Sequence, residues 1–148
     1  MINHIWSILC RRSVIDSETN NISIIDALEQ FVIDVQAKSG KKLPNKINIP
    51  IDYEVVSFWT KSEVDSYFKG KAKIDIVNPD NKLMKSFEQI LEMPKDMKRL
   101  RTRVRINGFV AENTGIYRFI ISYKHNDKSY KKLVELPLEV IVKNQGDL

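Results

Sequence analysis

The sequence has 148 residues, of which 43% are hydrophobic and 29% are charged, with a formal net charge of +5. This composition is ordinary for a globular protein and excludes a low-complexity or collagen-like chain. The length fits a single domain over 1–148 with a core that needs no disulfide. The modest positive charge favours weak attraction to anionic partners such as nucleic acid, but it is not a polybasic tail.

The N-terminal segment and the cysteine content indicate the cellular compartment of the protein. Cys10 is the single cysteine, so no intrachain disulfide forms, and a lone thiol is typical of a reducing cytosol. The apolar stretch 1–10 is short, has no basic leader and is followed by Arg11 and Arg12, which favours a strand over a signal peptide. No apolar run approaches membrane-spanning length. We therefore expect a cytoplasmic protein without membrane contact.

The first half of the chain begins with two predicted strands. Apolar residues predict a strand over 2–15, and a cluster of turn-forming residues follows at 16–21. The next strand, 22–35, carries apolar residues on both parities. A β-bulge near 26–29 would account for this change, and so would a short helical turn, because Ala, Leu, Glu and Gln favour helix.

Six more strands are predicted from alternating apolar residues. They cover 47–59, 67–77, 83–92, 98–107, 117–123 and 130–142. About eight strands at regular spacing, with no long amphipathic helix, indicate an all-β fold, either a sandwich or a barrel.

A motif around Tyr117 makes this prediction more specific. The spacing Asn113-x-Gly115-x-Tyr117-x-Phe119 resembles the tyrosine corner of immunoglobulin-like β-sandwiches, in which a tyrosine hydrogen-bonds back to the loop before its strand. Together with the strand 98–107 and the final hairpin, it makes the C-terminal third similar to the last three strands of such a domain.

The resemblance implies an immunoglobulin-like antiparallel β-sandwich with Tyr117 inside. Phe119 stands where that family has its second cysteine, and Asn113 stands where an aspartate is usual. The whole chain also resembles small uncharacterised bacterial sandwich proteins. Such sandwiches mostly act as binding or scaffolding modules, so the resemblance implies a non-catalytic protein-binding or assembly module.

Four alternating arginines form the sharpest surface feature, and we call them the arginine row. The row consists of Arg99, Arg101, Arg103 and Arg105. Alternate residues share one sheet face, so the row should extend over about 20 Å. Arginine suits bidentate phosphate contacts, which makes nucleic-acid binding possible. Further cations could extend the row, namely Arg118, Lys38, Lys41, Lys42 and Lys46.

Cross-strand charge pairing is the simpler explanation for the arginine row. We expect its strand to lie beside 22–35 and 83–92, which offer acidic partners at about 0.2–1 kcal/mol a pair. These partners are Asp26, Asp34, Glu88 and Glu92. Aromatic residues, on which single-strand binders stack bases, are missing from this face. A second basic row, formed by Lys69, Lys71 and Lys73, is expected to guard an exposed strand against edge-to-edge pairing.

An apolar set on outward positions supports a protein interface instead. Its members are Ile116, Ile120, Leu133 and Ile141, all predicted to lie opposite the buried residues of their strands. Neighbouring outward apolar residues would form a patch, which usually marks an interface with a protein partner or a second copy of the chain. Alternatively, the N-terminal strand or a loop covers this patch within the monomer.

Chemistry-bearing motifs are otherwise absent from the sequence. His4 and His125 lie far apart, and no His, Cys and carboxylate cluster has metal-ligand spacing. Cys10 has no visible base or helix N-terminus to activate it. We therefore expect no enzyme, no cofactor, no metal and no small-molecule substrate. A binding or assembly module is the first hypothesis, and a nucleic-acid-binding protein that uses the arginine row is the alternative.

Overall fold

The computed structural model describes residues 2–35, 45–126 and 128–144. Nine strands and no helix are found in these residues. The strands are β1 (Ile2–Ile15), β2 (Ile22–Ala27), β3 (Gln30–Val35), β4 (Ile47–Lys61), β5 (Phe68–Val77), β6 (Leu83–Met93), β7 (Arg99–Ala111), β8 (Gly115–His125) and β9 (Lys131–Asn144). The all-β prediction is confirmed.

Two sheets pack against each other, as predicted for a sandwich. The first sheet has the order β2-β1-β4-β7 and the second has the order β3-β9-β8-β5-β6. The neighbouring strands described are antiparallel, with the exception of β3 and β9, which are parallel. Both sheets contribute to the core between them: Leu9, Tyr53, Val55 and Ile106 come from the first, and Ile74, Phe119, Ile121 and Leu138 come from the second.

The predicted strand 22–35 is two strands that belong to different sheets. β2 pairs with β1 in the first sheet, and β3 pairs with β9 in the second. The chain crosses between them at 28–29, just after the last two residues of β2, of which Asp26 has a φ of 53° in the left-handed region. Both predictions for this segment, a bulge and a helical turn, are wrong. The apolar parity changes because β3 packs Phe31 and Ile33 against the core, whereas Ile22 of β2 lies on the outer face of the first sheet beside Phe58.

Tyr117 lies fully buried between the sheets and hydrogen-bonds to the loop before β8. Its hydroxyl accepts from the backbone N–H groups of Glu112 (2.9 Å) and Asn113 (3.0 Å), and it donates to the carbonyl oxygen of Asn113 (2.8 Å). The ring packs edge-on against Phe109, with 5.2 Å between the centroids. The hydroxyl therefore satisfies three backbone groups where the chain turns from β7 into β8.

Gly115 permits the close turn into β8. Its φ is +150°, and a Cβ atom at this position would lie 2.8 Å from Cγ of Pro79. A larger residue would therefore clash with the loop between β5 and β6, which explains the glycine two residues before Tyr117.

Candidate functional site

The arginine row lies on an edge strand of the first sheet. β7 pairs with β4 along one side, and none of the described strands pairs with its other side. Thr102 and Ile106 of β7 are buried against the core, whereas the arginines that alternate with them are exposed or partly exposed. The row therefore projects from the outer face of the first sheet.

The strands that we expected beside the row lie elsewhere. Residues 22–35 form the edge strands β2 and β3, and β6 belongs to the second sheet. The expected partners Asp26, Asp34, Glu88 and Glu92 are therefore not cross-strand neighbours of the row, and that prediction is wrong. The physical reason is that the chain changes sheets at these points, which separates strands that lie close in sequence.

The contacts that the arginines do make differ along the row. Arg105 Nε donates to Oε1 of Glu54 at 3.0 Å, and Glu54 is only 3% exposed. Arg101 donates to the side-chain oxygen of Asn20 at 2.8 Å. Arg103 reaches Ser13 only through long contacts of 3.4 and 3.5 Å.

Positive charge in the row exceeds its negative partners. Within residues 2–35, 45–126 and 128–144, the side chain of Arg99 makes no hydrogen bond or ion pair, and Glu54 is the single carboxylate that bonds to the row. Three of the four guanidinium groups consequently have no anionic partner in the part of the chain that the structure describes. Such a surface attracts anions.

Beyond Cys10, β1 no longer pairs with β4 and pairs only with β2, and this part of the hairpin folds over the outer face of the first sheet. Ser13 donates its hydroxyl to Oε2 of Glu54 at 2.6 Å, and Asn20 at the hairpin tip contacts Arg101. Val56, which points outward from β4, is completely buried. The hairpin therefore covers the centre of this face, while most of the arginine row along β7 stays exposed.

A groove of about 540 Å³ lies between the hairpin tip and the sheet. Trp6 and Phe58 line it from the sheet, and their rings are stacked, with centroids 5.8 Å apart and planes inclined by 27°. Asn20 lines it from the hairpin, and Arg99 and Arg101 line it from β7. The groove thus combines an apolar aromatic surface with cations on one side.

The aromatic pair and the arginine row share one sheet face. Trp6 on β1 lies opposite Phe58 on β4, and Phe58 in turn lies opposite Arg101 on β7. The expectation that aromatic residues are missing from this face is wrong, because they come from neighbouring strands rather than from β7. The even-numbered positions of β4 were the available signal, since Phe58 shares its parity with Glu54 and Val56.

The residues expected to extend the arginine row do not do so where the structure describes them. Arg118 lies on β8 in the second sheet and donates to Glu135 at 3.2 Å. Lys46 lies 3.8 Å from a carboxylate oxygen of Glu112. The other expected cations, Lys38, Lys41 and Lys42, lie outside the described residues.

The lysine row has a different environment from the one predicted. β5 lies between β8 and β6, so these lysines do not guard a sheet edge. Lys71 lies 3.9 Å from Glu88 on β6, and Lys73 lies 3.3 Å from Asp75 on its own strand. Lys73 also lies over the ring of Tyr130, 4.4 Å from its centroid. Two of the three lysines therefore lie beside carboxylates on the second sheet.

Leu133 does not belong to the outward apolar set. A register shift between β8 and β9 pairs Ile121 with Val134 but Ser122 with Lys132, which leaves Leu133 in a bulge. Leu133 packs against both core clusters. The predicted outward position is wrong, because one extra residue in a strand changes the face to which a side chain points.

The other three members of the apolar set remain outside the core, but charges separate them. Ile116 is 46% exposed and lies opposite Glu139. Ile120 lies between Glu135 and Asp75 on the adjacent strands. Ile141 lies opposite Val32, which is 45% exposed. A smaller apolar patch of Val32, Ile116 and Ile141 thus replaces the predicted one.

Two titratable groups near the core have shifted pKa values. Burial, followed by the charge of the nearby Glu54, raises the pKa of the Cys10 thiol to about 11. Burial lowers the pKa of His4, whose ring packs edge-on against Trp59 and bonds to the hydroxyl of Ser7. Among the described residues, no group of three His, Cys, Asp or Glu side chains is placed to hold a metal ion.

Comparison with known proteins adds no relative: neither a protein-family model nor a curated protein matches this chain. In the described part of the chain, no helix has the length and apolar character needed to cross a membrane.

Proposed function

We propose that this protein is a non-catalytic binding module that holds nucleic acid on the outer face of its first sheet, with the arginine row on the phosphate backbone. The main support for this proposal is the charge imbalance of the row. Among the described residues, Glu54 is the single carboxylate that bonds to any of the four arginines. Arginine matches phosphate geometry, and alternate residues along a strand, spaced by about 6.6 Å, can follow a chain of phosphates.

Protection of a sheet edge is the competing explanation, since charged side chains on an edge strand discourage pairing with another chain. Edge protection requires only that the charges be present. It gives no reason for the stacked Trp6 and Phe58 beside Arg101 on the same face. A cationic surface next to partly exposed aromatic rings is the combination that single-strand binding proteins use.

Salt-dependent binding of a short labelled oligonucleotide tests this function. Arg99→Gln with Arg101→Gln removes two cations, so we expect weaker binding at low salt and a slope of log K against log salt that is shallower by about 1.4. The matched control is Lys69→Gln with Lys131→Gln, which changes the net charge equally on the second sheet. An equal loss in both double variants would mean that net charge, and not the arginine row, attracts the ligand.

We also infer that the sandwich is of the immunoglobulin-like type. The order β9-β8-β5-β6 matches G-F-C-C′ of these domains, and β4 beside β7 matches B beside E. The hydrogen bonds of Tyr117 support the same type. β1 beside β4 likewise matches A beside B, whereas β2, outside β1, has no counterpart in that order. An experimental structure whose sheets cross at an angle far from about −30° would contradict this type.

A protein partner or a second copy of the chain is the other candidate function. The exposed pair Val32 and Ile116, with Ile141 beside them on β9, favours it. Light scattering on the purified protein tests it, with Ile116→Lys as the disrupting variant. A wild-type monomer whose mass does not change with concentration would remove the homodimer.

A further inference from the structure

The groove at the hairpin tip is the part of the outer face whose shape suggests one ligand. It combines a stacked aromatic pair, two arginines and the side-chain amides of the hairpin turn. We propose that this groove takes one unstacked base of a single-stranded nucleic acid, so that the protein prefers single strands to duplexes. The proposal rests on the function proposed above and names the form of nucleic acid that this site binds.

The pairing of three adjacent strands brings the stacking side chains together. Trp6, Phe58 and Arg101 are successive cross-strand neighbours on β1, β4 and β7. Adjacent strands lie about 4.8 Å apart, so their side chains stand side by side on the sheet. Both rings are partly exposed, and a planar guanidinium stacks on flat rings as well. These three side chains therefore offer flat surfaces to a base. The phosphates of the same strand can then contact the arginines.

The hairpin turn supplies groups that can meet the edge of a base. Asn20 and Asn21 are exposed and line the groove. The side-chain oxygen of Asn20 accepts from Arg101, whereas the side-chain amide of Asn21 makes no hydrogen bond to any described residue. Asparagine carries both donors and an acceptor, which suits hydrogen bonds to base edges. The free amide of Asn21 is thus placed where an unpaired base would present its edge.

The size and position of the groove favour an unpaired base. Its volume of about 540 Å³ falls in the range of about 300–1,000 Å³ that is typical of small-molecule sites. The hairpin tip encloses one side, so a base must leave its stack to enter. A duplex base stays stacked between its neighbours unless unstacking energy is supplied, whereas a single-stranded base is free to turn out.

Arg99 is the cation placed to hold a phosphate next to that base. It lines the groove and is exposed, and its side chain makes no hydrogen bond or ion pair in the part of the chain that the structure describes. Arg101, by contrast, is fixed by Asn20 at 2.8 Å. The two arginines therefore have different roles. Arg101 lies beside the rings, and Arg99 can contact the phosphate backbone of the nucleic acid.

Wild-type protein tests the proposal without any substitution. We compare three probes at one salt concentration: an oligonucleotide of thymidine, an abasic strand of the same length, and a duplex of the same length. The thymidine strand should bind about tenfold or more tightly than the other two, because only it offers an unstacked base. Equal affinity for the thymidine and abasic strands overturns the base site but leaves the phosphate function standing. Failure of all three to bind overturns the proposed function itself.

Substitution at Trp6 locates the base. Trp6→Leu should weaken thymidine binding about fivefold to a hundredfold and leave inorganic polyphosphate binding unchanged, whereas Trp6→Phe should retain most of the affinity. Trp59, the other tryptophan, is 1% exposed and donates to Thr102, so ligand quenching of fluorescence should come from Trp6. Unchanged thymidine affinity in a folded Trp6→Leu protein, or equally tight binding of a polyglutamate peptide, would overturn the proposal.

Discussion

Ser13 donates a hydrogen bond of 2.6 Å to the buried carboxylate of Glu54, which also accepts from Arg105 at 3.0 Å. This contact joins the hairpin of β1 and β2 to the outer face of the first sheet. Cys10, the neighbour of Glu54 on the adjacent strand β1, is completely buried. One acidic residue with two donors therefore fixes the hairpin on this face.

Removal of this carboxylate should loosen the hairpin. Glu54→Gln replaces charge-assisted hydrogen bonds by weaker ones, so we expect a loss of about 1–2 kcal/mol in the free energy of unfolding. Denaturant unfolding measures it, and a thiol reagent should label Cys10 faster as the hairpin lifts. Glu18→Gln is the control, since Glu18 is exposed in the same hairpin and should change stability by less than about 0.5 kcal/mol. Equal stability of the two variants would mean that the contact does not fix the hairpin.

Tyr117→Phe should destabilise the protein by about 2–3 kcal/mol. The substitution preserves the buried ring but leaves the backbone groups of Glu112 and Asn113 without the hydroxyl that satisfies them. Tyr67→Phe is a matched control, because Tyr67 is 56% exposed and its hydroxyl bonds to Glu92 at the surface. Urea unfolding of both variants decides the matter, and similar values for the two would refute a structural role for the hydroxyl.

The sequence was sufficient for the strands, because alternation is a local property. Tyr117 points into the core from the second sheet, and the arginine row points outward from the first sheet. The period of two along each strand predicts both directions. The hydrogen bonds of Tyr117 could be expected as well, since the glycine, the tyrosine and the loop that they join lie within a few residues of one another.

The assignment of strands to sheets could not be predicted in the same way. Nothing local shows that the chain changes sheets after Asp26, or that Trp6 meets Phe58. These pairings depend on contacts between residues distant in sequence. The placement of Leu133 failed for a smaller reason, because a single bulged residue reverses the face, and alternation alone does not locate the bulge.

Stability should fall in alkaline solution as Cys10 ionises. Burial, followed by the charge of Glu54, raises the pKa of this thiol from 9.0 to about 11. The folded state thus holds the thiol proton more tightly than the unfolded state does. The resulting stabilisation is complete below pH 9 and is lost as the pH rises towards 11.

Unfolding of wild-type protein and Cys10→Ala across this pH range measures that effect. The wild type should lose stability more steeply between pH 9 and 11, whereas Cys10→Ala starts lower but declines less. Some decline should persist in the variant, because burial also raises the pKa of Tyr53. Parallel curves for the two proteins would show that the thiol does not titrate differently in the folded state.

Leu133 and Ile120 should respond very differently to a charge, although alternation assigned both to the outer face. Leu133 packs against both core clusters, so Leu133→Lys should cost about 2 kcal/mol or more in the free energy of unfolding. Ile120 lies between Asp75 and Glu135 on the adjacent strands, where a lysine finds opposite charges, so Ile120→Lys should cost less than about 1 kcal/mol. Thermal or urea unfolding of the two variants compares them directly. If Ile120→Lys proved the more damaging, the bulge in β9 would lie at another residue, and Leu133 would return to the surface.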